Sequence, residues 1–208
     1  NGADVGPEQF SETFGFRGVQ FGNYVEGKRR QQDLNNAYDA LLDMAGVLGI
    51  PPRSISLNGT LGLAFGARGK GGKRPAAAHY EPDNVVINLT KGAGAGSLAH
   101  EWWHGLDNYF AMKRDGSGKY ARADQYLTEN ATARNVTAGD VRPEMMQAFT
   151  AIANMVERTK IKERSKRLDD KRTKAYWGTG REMTARAFES YIIARLADQS
   201  AANDYLAK

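Results

Sequence analysis

Apolar positions along the first half of the chain follow two different periods. Leu34, Tyr38, Leu41, Leu42, Ala45 and Leu48 recur three and four residues apart, which predicts an amphipathic helix that Gly49, Pro51 and Pro52 bring to a stop. Before it, Phe14, Phe16, Val19 and Phe21 stand among glycines within residues 10–25 and predict a short strand or extended arm. After it, Ile55–Leu57 and Thr60–Phe65 flank Asn58-Gly59, a dipeptide suited to a two-residue type I′ turn, so a hairpin is predicted. Ala76–Tyr80 and Val85–Leu89 flank Glu81-Pro82-Asp83-Asn84 and predict a second strand, turn, strand unit.

The second half is helical. A run of small residues, 91–96, leads to Ser97, which is placed to cap a helix over about 97–111. Residues 113–142 are polar and poor in branched aliphatics, and read as a long excursion that Tyr109, Phe110, Tyr120 and Tyr126 fasten. Asp140 and Pro143 open a helix whose apolar stripe is Met145, Met146, Phe149, Ile152, Ala153 and Val156. A last helix begins after Thr179 and runs past Leu196. Strands early and helices late predict an α+β fold in one domain over residues 1–208. Its parts are an N-terminal arm (1–30), a helix, sheet and active-site-helix segment (31–112), the polar excursion (113–142) and a helical lobe (143–208).

The chemistry concentrates in His100-Glu101-Trp102-Trp103-His104. Residues four apart share a helical face, so both imidazoles reach one zinc ion while Glu101 stands beside them as general base. The chain has three histidines, so finding two of them at this spacing around a glutamate is hard to attribute to chance. The plain alternative is a core helix with hydrogen-bonded histidines. Trp102 and Trp103 read as packing residues. Asp107 shares roughly the histidines' face, and either orients an imidazole or anchors a backbone turn. His79, on a strand upstream of the motif, reads as structural or as part of the rim.

Composition narrows the metal chemistry. With no cysteine there is no disulfide, no thiolate nucleophile and no thiolate zinc site, so a metal must be held by histidine and carboxylate. A cytoplasmic setting is compatible with this. The 41% hydrophobic and 25% charged content belongs to an ordinary globular protein, and no apolar run reaches the roughly 18 residues of a membrane span. The start, Asn1 to Pro7, has neither a signal-peptide pattern nor an initiator methionine, and so suggests a piece of a longer protein.

The net charge of +5 is local. Residues 160–174 carry eight Lys/Arg against three Asp/Glu, and the remainder balances at 21 against 21. That segment reads as a solvated helix end or as a surface for nucleic acid or another acidic partner. The glycine-rich basic stretch 66–74 lacks a Walker-type ending and reads as a strand connection.

A catalytic zinc needs a third protein ligand, and the last helix offers Glu182 and Glu189, seven apart and on nearly one face. Thr179 with Glu182 is also a capping box, and Glu182 with Arg186 an i,i+4 ion pair. Spacing alone leaves the two glutamates even.

His100 to Tyr109, with Glu182-Met-Thr-Ala-Arg-Ala-Phe188 downstream, resembles the gluzincin pattern of the catalytic domain of anthrax lethal factor. The resemblance implies Glu182 as third ligand and Tyr176 as the nearest match to the oxyanion-stabilising tyrosine, although its spacing to Glu182 departs slightly from the pattern. Over more of the chain, the segments 35–42, 61–69, 78–82 and 97–110, with Tyr176-Trp177 and 182–191, resemble the large polyvalent-protein-associated domains of phages and conjugative elements. That resemblance implies a zincin-like metallopeptidase domain within a long protein delivered into a host or recipient cell with DNA.

Together these readings predict a zinc-dependent endopeptidase with ligands His100, His104 and Glu182, base Glu101 and oxyanion residue Tyr176, acting on a protein or peptide. The alternative is a nucleic-acid or protein-binding module with a structural or vestigial zinc site. An intact Glu101 argues against it, because a pure zinc scaffold needs no general base.

Overall fold

The computed structural model describes residues 4–22, 27–66, 78–89, 96–114, 126–130 and 142–208. The Gly-Ala run up to residue 95, the basic stretch beyond Gly66, Tyr120, Asp140 and most of the predicted polar excursion lie outside them. The chain divides into two compact units, one of residues 1–105 with 189–208 and the other of residues 106–188.

The first unit opens with helix α1 (Pro7–Phe14) and strand β1 (Val19–Phe21). Residues 10–14 are therefore helical, not extended as the sequence suggested. Pro7 sits in the first turn and Gly15 ends the helix at φ 65°, a left-handed conformation that glycine adopts without steric cost. The four-residue spacing puts Phe10 and Phe14 on one buried face, with ring centroids 5.0 Å apart. Phe14 meets Tyr38 of α2 (Gly27–Leu48) edge-on at 5.3 Å. The predicted stripe of α2 is its buried face: Leu34, Tyr38, Leu41 and Ala45 are all core.

The predicted hairpin at 55–65 is absent. Pro52–Ser56 form a 3₁₀ turn, and Leu57, Asn58 and Gly59 all take positive φ (52°, 60° and 72°). Asn58-Gly59 thus adopts the torsion sign a type I′ turn requires, but it redirects the chain out of a 3₁₀ turn instead of joining two strands. The following strand, β2 (Gly62–Phe65), pairs in parallel with β1 and with β4 (Val86–Leu89). Both β2 and β4 are buried throughout, as strands covered on both faces must be. The predicted unit around Glu81-Pro-Asp-Asn84 does form, with β3 (Ala78–Glu81) antiparallel to β4 and Tyr80 opposite Ile87.

The sheet order is β1-β2-β4-β3, so β3 is the edge strand nearest the motif helix in sequence. It alternates, with Ala78 and Tyr80 buried and His79 and Glu81 partly exposed. Tyr80 lies over Gly105 of α3 (Leu98–Arg114), where a Cβ would be in ordinary contact at 3.5 Å from the ring. Helix α3 starts directly after Ser97, the predicted cap position. The C-terminal turn also closes this helix end, because Leu206 C=O accepts from Ala99 N–H (3.0 Å) and Tyr205 C=O from Gly96 N–H (3.1 Å).

The second unit contains the rest of α3, the short α4 (Leu127–Asn130), α5 (Pro143–Glu157), α6 (Lys160–Asp169) and the first half of α7 (Gly180–Asp198). Phe149, Ala153 and Val156 form the buried stripe of α5, and Phe149 packs edge-on against Phe110 at 5.6 Å. No helix among the described residues is long and apolar enough to cross a membrane.

Candidate metal centre

In the first unit, the motif occupies the opening turns of α3. His100 Nε2 and His104 Nε2 are 3.1 Å apart, as the i,i+4 spacing predicts. The other nitrogen of His100, Nδ1, faces Glu189 Oε2 at 3.8 Å. Glu101 is buried to 9% exposure and its Oε2 accepts the backbone N–H of Tyr80 at 2.8 Å. The carboxylate beside the histidines is therefore tied to the main chain of the edge strand. His79 lies on the same strand, its Nε2 3.2 Å from Glu81 Oε1, a rim position of the kind its sequence context suggested.

The tryptophans between the histidines are core. Trp102 and Trp103 are buried, and the indole N–H of Trp102 donates to Ile55 C=O at 2.9 Å. This bond fixes the rotation of α3, and with it the face that carries His100 and His104.

In the second unit, Asp107 is fully buried and accepts from both the backbone N–H of Thr128 (3.1 Å) and its hydroxyl. Asp107 thus anchors the backbone at Thr128. Thr128 in turn abuts the start of α7, where a Cβ on Gly180 would stand 2.8 Å from the Thr128 carbonyl oxygen. Arg181 reinforces this seam through Glu129 (3.5 Å) and the Tyr126 ring (5.1 Å). Two residues on, Glu182 is held in place by this docking and is 4% exposed. At Thr179, the capping-box position, the hydroxyl donates to Tyr176 C=O at 2.8 Å. Arg186 directs its guanidinium to Ser165 Oγ (2.8 Å) and to the Trp177 carbonyl.

One ring nitrogen from each of His100 and His104 and one carboxylate oxygen of Glu182 lie within 4.8 Å of one another, a group able to hold a metal ion. Two ligands at about 2.0–2.1 Å from a tetrahedral zinc stand roughly 3.3 Å apart, close to the separation of the two imidazole nitrogens. The donor set, two imidazoles and a carboxylate without sulfur, is one that catalytic zinc sites use. The residues present therefore suit zinc.

Tyr176 sits 36% exposed on the loop between α6 and α7. Asp169 builds that loop: Oδ1 accepts from the N–H groups of Tyr176 (3.1 Å) and Trp177 (3.0 Å), and Oδ2 from Gly178 (2.8 Å). Arg172 lies 5.0 Å over the Tyr176 ring. Desolvation pushes the Asp169 pKa up, but the three N–H donors and the Arg172 charge outweigh it and hold the carboxyl below its ordinary value. A depressed folded-state pKa means that the ionised carboxylate stabilises the loop above the unfolded aspartate pKa of about 3.9, and that this stability is lost as pH falls through the folded value. Thermal melting of Asp169→Asn beside the native chain should therefore show the widest gap in Tm above about pH 4, narrowing as the pH drops further. A gap that stays constant across this window would show that ionised Asp169 does not hold the loop.

Residues 168–208 match the family model described as large polyvalent protein-associated domain 1, a span that includes Asp169, Tyr176, Glu182 and Glu189. No curated protein matches the chain, and no solved structure does.

Proposed function

We propose that the chain is a zinc-dependent endopeptidase domain of the gluzincin type, with an α+β zincin fold, within a larger polyvalent protein. The observation that carries this reading is the group formed by His100, His104 and Glu182, with Glu101 beside it on the motif helix. Zinc bound there supplies Lewis-acid polarisation of the scissile carbonyl and a water of near-neutral pKa.

The chain's own residues do the rest. Glu101 takes a proton from the attacking water as its oxygen bonds to the carbonyl carbon, then delivers that proton to the amine nitrogen as the C–N bond breaks. The Tyr176 hydroxyl donates to the carbonyl oxygen as negative charge develops on it. Apart from the Tyr80 N–H that Glu101 already holds, edge strand β3 offers its backbone to an extended peptide, and partly exposed His79 and Glu81 flank the residues so bound. The choice of a peptide rests on that edge, which suits a backbone with unpaired amide groups.

The test is a proteome-derived peptide library incubated with the zinc-loaded protein and analysed by mass spectrometry for new termini. Cleavage is expected to stop on chelation and to return when zinc, but not magnesium, is restored. Cleavage indifferent to chelation, or no cleavage by stoichiometrically loaded protein, would remove the peptidase assignment.

A further inference from the structure

The basic segment 160–174 begins as α6, and four of its eight cations gather on one side of that helix. At 100° per residue, Lys160, Arg164 and Arg167 fall within a sector of about 60°. Asp170 keeps helical torsions (φ −54°, ψ −26°), which carry Lys171 onto the same side. All four are exposed, and none makes an ion pair with any described residue. Of the other four cations, Lys162 pairs with Glu157 and Arg172 lies 4.0 Å from Asp169, while Lys166 and Lys174 are exposed outside the stripe.

The helix cannot roll to mix these faces. Thr159 caps its N-terminus, accepting from Ile161 N–H, and fully buried Ser165 is bonded to Arg186 of α7. The fixed stripe spans about 16 Å, with successive cations about 4.5–6 Å apart along the axis. The segment that carries it holds the whole net charge of the chain.

We propose that this stripe is a binding surface for the phosphate backbone of nucleic acid, contacted without base reading. A row of long cationic side chains with no apolar residue within it matches a regularly charged strand. A folded acidic protein needs an apolar centre to its interface; the stripe itself has none, and exposed Leu168 at its margin is a single side chain. An anionic bilayer needs the helix to bury an apolar face, and Ser165 at the back of α6 is already fixed to α7. The surface uses none of the residues of the proposed zinc centre and does not depend on it.

The test uses fluorescence anisotropy of the whole chain with short labelled oligonucleotides of mixed sequence, single-stranded and duplex, over a series of salt concentrations. Arg164→Gln/Arg167→Gln is compared with Lys28→Gln/Arg195→Gln, which removes the same charge elsewhere from exposed positions. Binding is expected to be sequence-independent and salt-sensitive. The stripe variant should lower the slope of log K against log salt by about 1.4–1.8, at 0.7–0.9 per lost phosphate contact. The control should keep its slope, and far-UV circular dichroism should show both variants folded. Equal losses in the two variants, no binding by the native chain at low salt, or capture by phosphatidylserine vesicles in place of DNA would each overturn the proposal.

Discussion

Glu101→Gln should leave zinc binding intact and lower peptide hydrolysis by about 10²–10⁴-fold, the range for loss of a positioned general base. That loss corresponds to roughly 2.7–5.4 kcal/mol of transition-state stabilisation. The substitution is close to isosteric, and the amide oxygen of glutamine can still accept the Tyr80 N–H that Glu101 accepts at 2.8 Å. The tie to β3 therefore survives, and so does the packing of a side chain that is nearly buried. What disappears is the capacity to take up a proton. Glu101 is also not among the three residues of the metal-binding group, so metal content should stay equal to that of the native chain. The measurements are zinc stoichiometry by mass spectrometry and single-turnover cleavage of a peptide found in the library screen. Hydrolysis at the native rate would end the role given to Glu101, whereas loss of zinc together with activity would mean that the residue acts as a ligand.

What could be read from the sequence was what local periodicity determines. The motif helix, the core role of Trp102 and Trp103, the stripe of α2 and the strand, turn, strand unit before the motif all rest on residue spacings of two to four, and each is present. The start of the chain departs from the sequence expectation although its signals are local. Pro7 at the first turn and Gly15 just past the last are helix boundaries, and they outweigh the phenylalanines among glycines that favour a strand. The hairpin failed for another reason. Asn58 and Gly59 do take positive φ, but whether the flanking segments pair with each other is decided by distant partners, and β2 is taken by β1 and β4.

The candidate site shows the same division. The pairing of His100 with His104 is set within one helix and was legible. The fate of Asp107 was not, since Thr128 lies 21 residues away and no spacing rule reaches it. Positioning of Glu182 depends on the same long-range seam, because Gly180 packs on the Thr128 carbonyl and Arg181 on Glu129. The concentration of cations in residues 160–174 is legible in the sequence. Their isolation from the helix's ion pairs is not, because it depends on which face Ser165 and Arg186 bury.

Separating Glu182 from Glu189 is the other decisive experiment. The two stand seven residues apart on α7, nearly in line, so sequence spacing alone could not choose between them. Their surroundings differ. Glu182 joins the imidazoles in the group able to hold a metal, while Glu189 faces the second nitrogen of His100, Nδ1, at 3.8 Å. That separation is longer than a hydrogen bond; closing it would let the carboxylate set the tautomer and orientation of His100, an interaction whose loss generally costs 10–100-fold in metal affinity. Glu182→Ala is therefore expected to abolish stoichiometric zinc, and Glu189→Ala to weaken binding by about 10–100-fold. Melting with and without zinc gives a second reading of the same equilibrium. Zinc at a thousand times its Kd should stabilise the native chain by about 4 kcal/mol, a gain reduced by about 1.4–2.7 kcal/mol in Glu189→Ala and nearly absent in Glu182→Ala. Comparing the metal-free melts shows whether either substitution has damaged the fold itself, since Glu182 is buried and its replacement leaves a space beside the Gly180 seam. If Glu189→Ala alone lost the metal while Glu182→Ala retained it, the two residues would exchange roles, and α7 would present its ligand two turns further along.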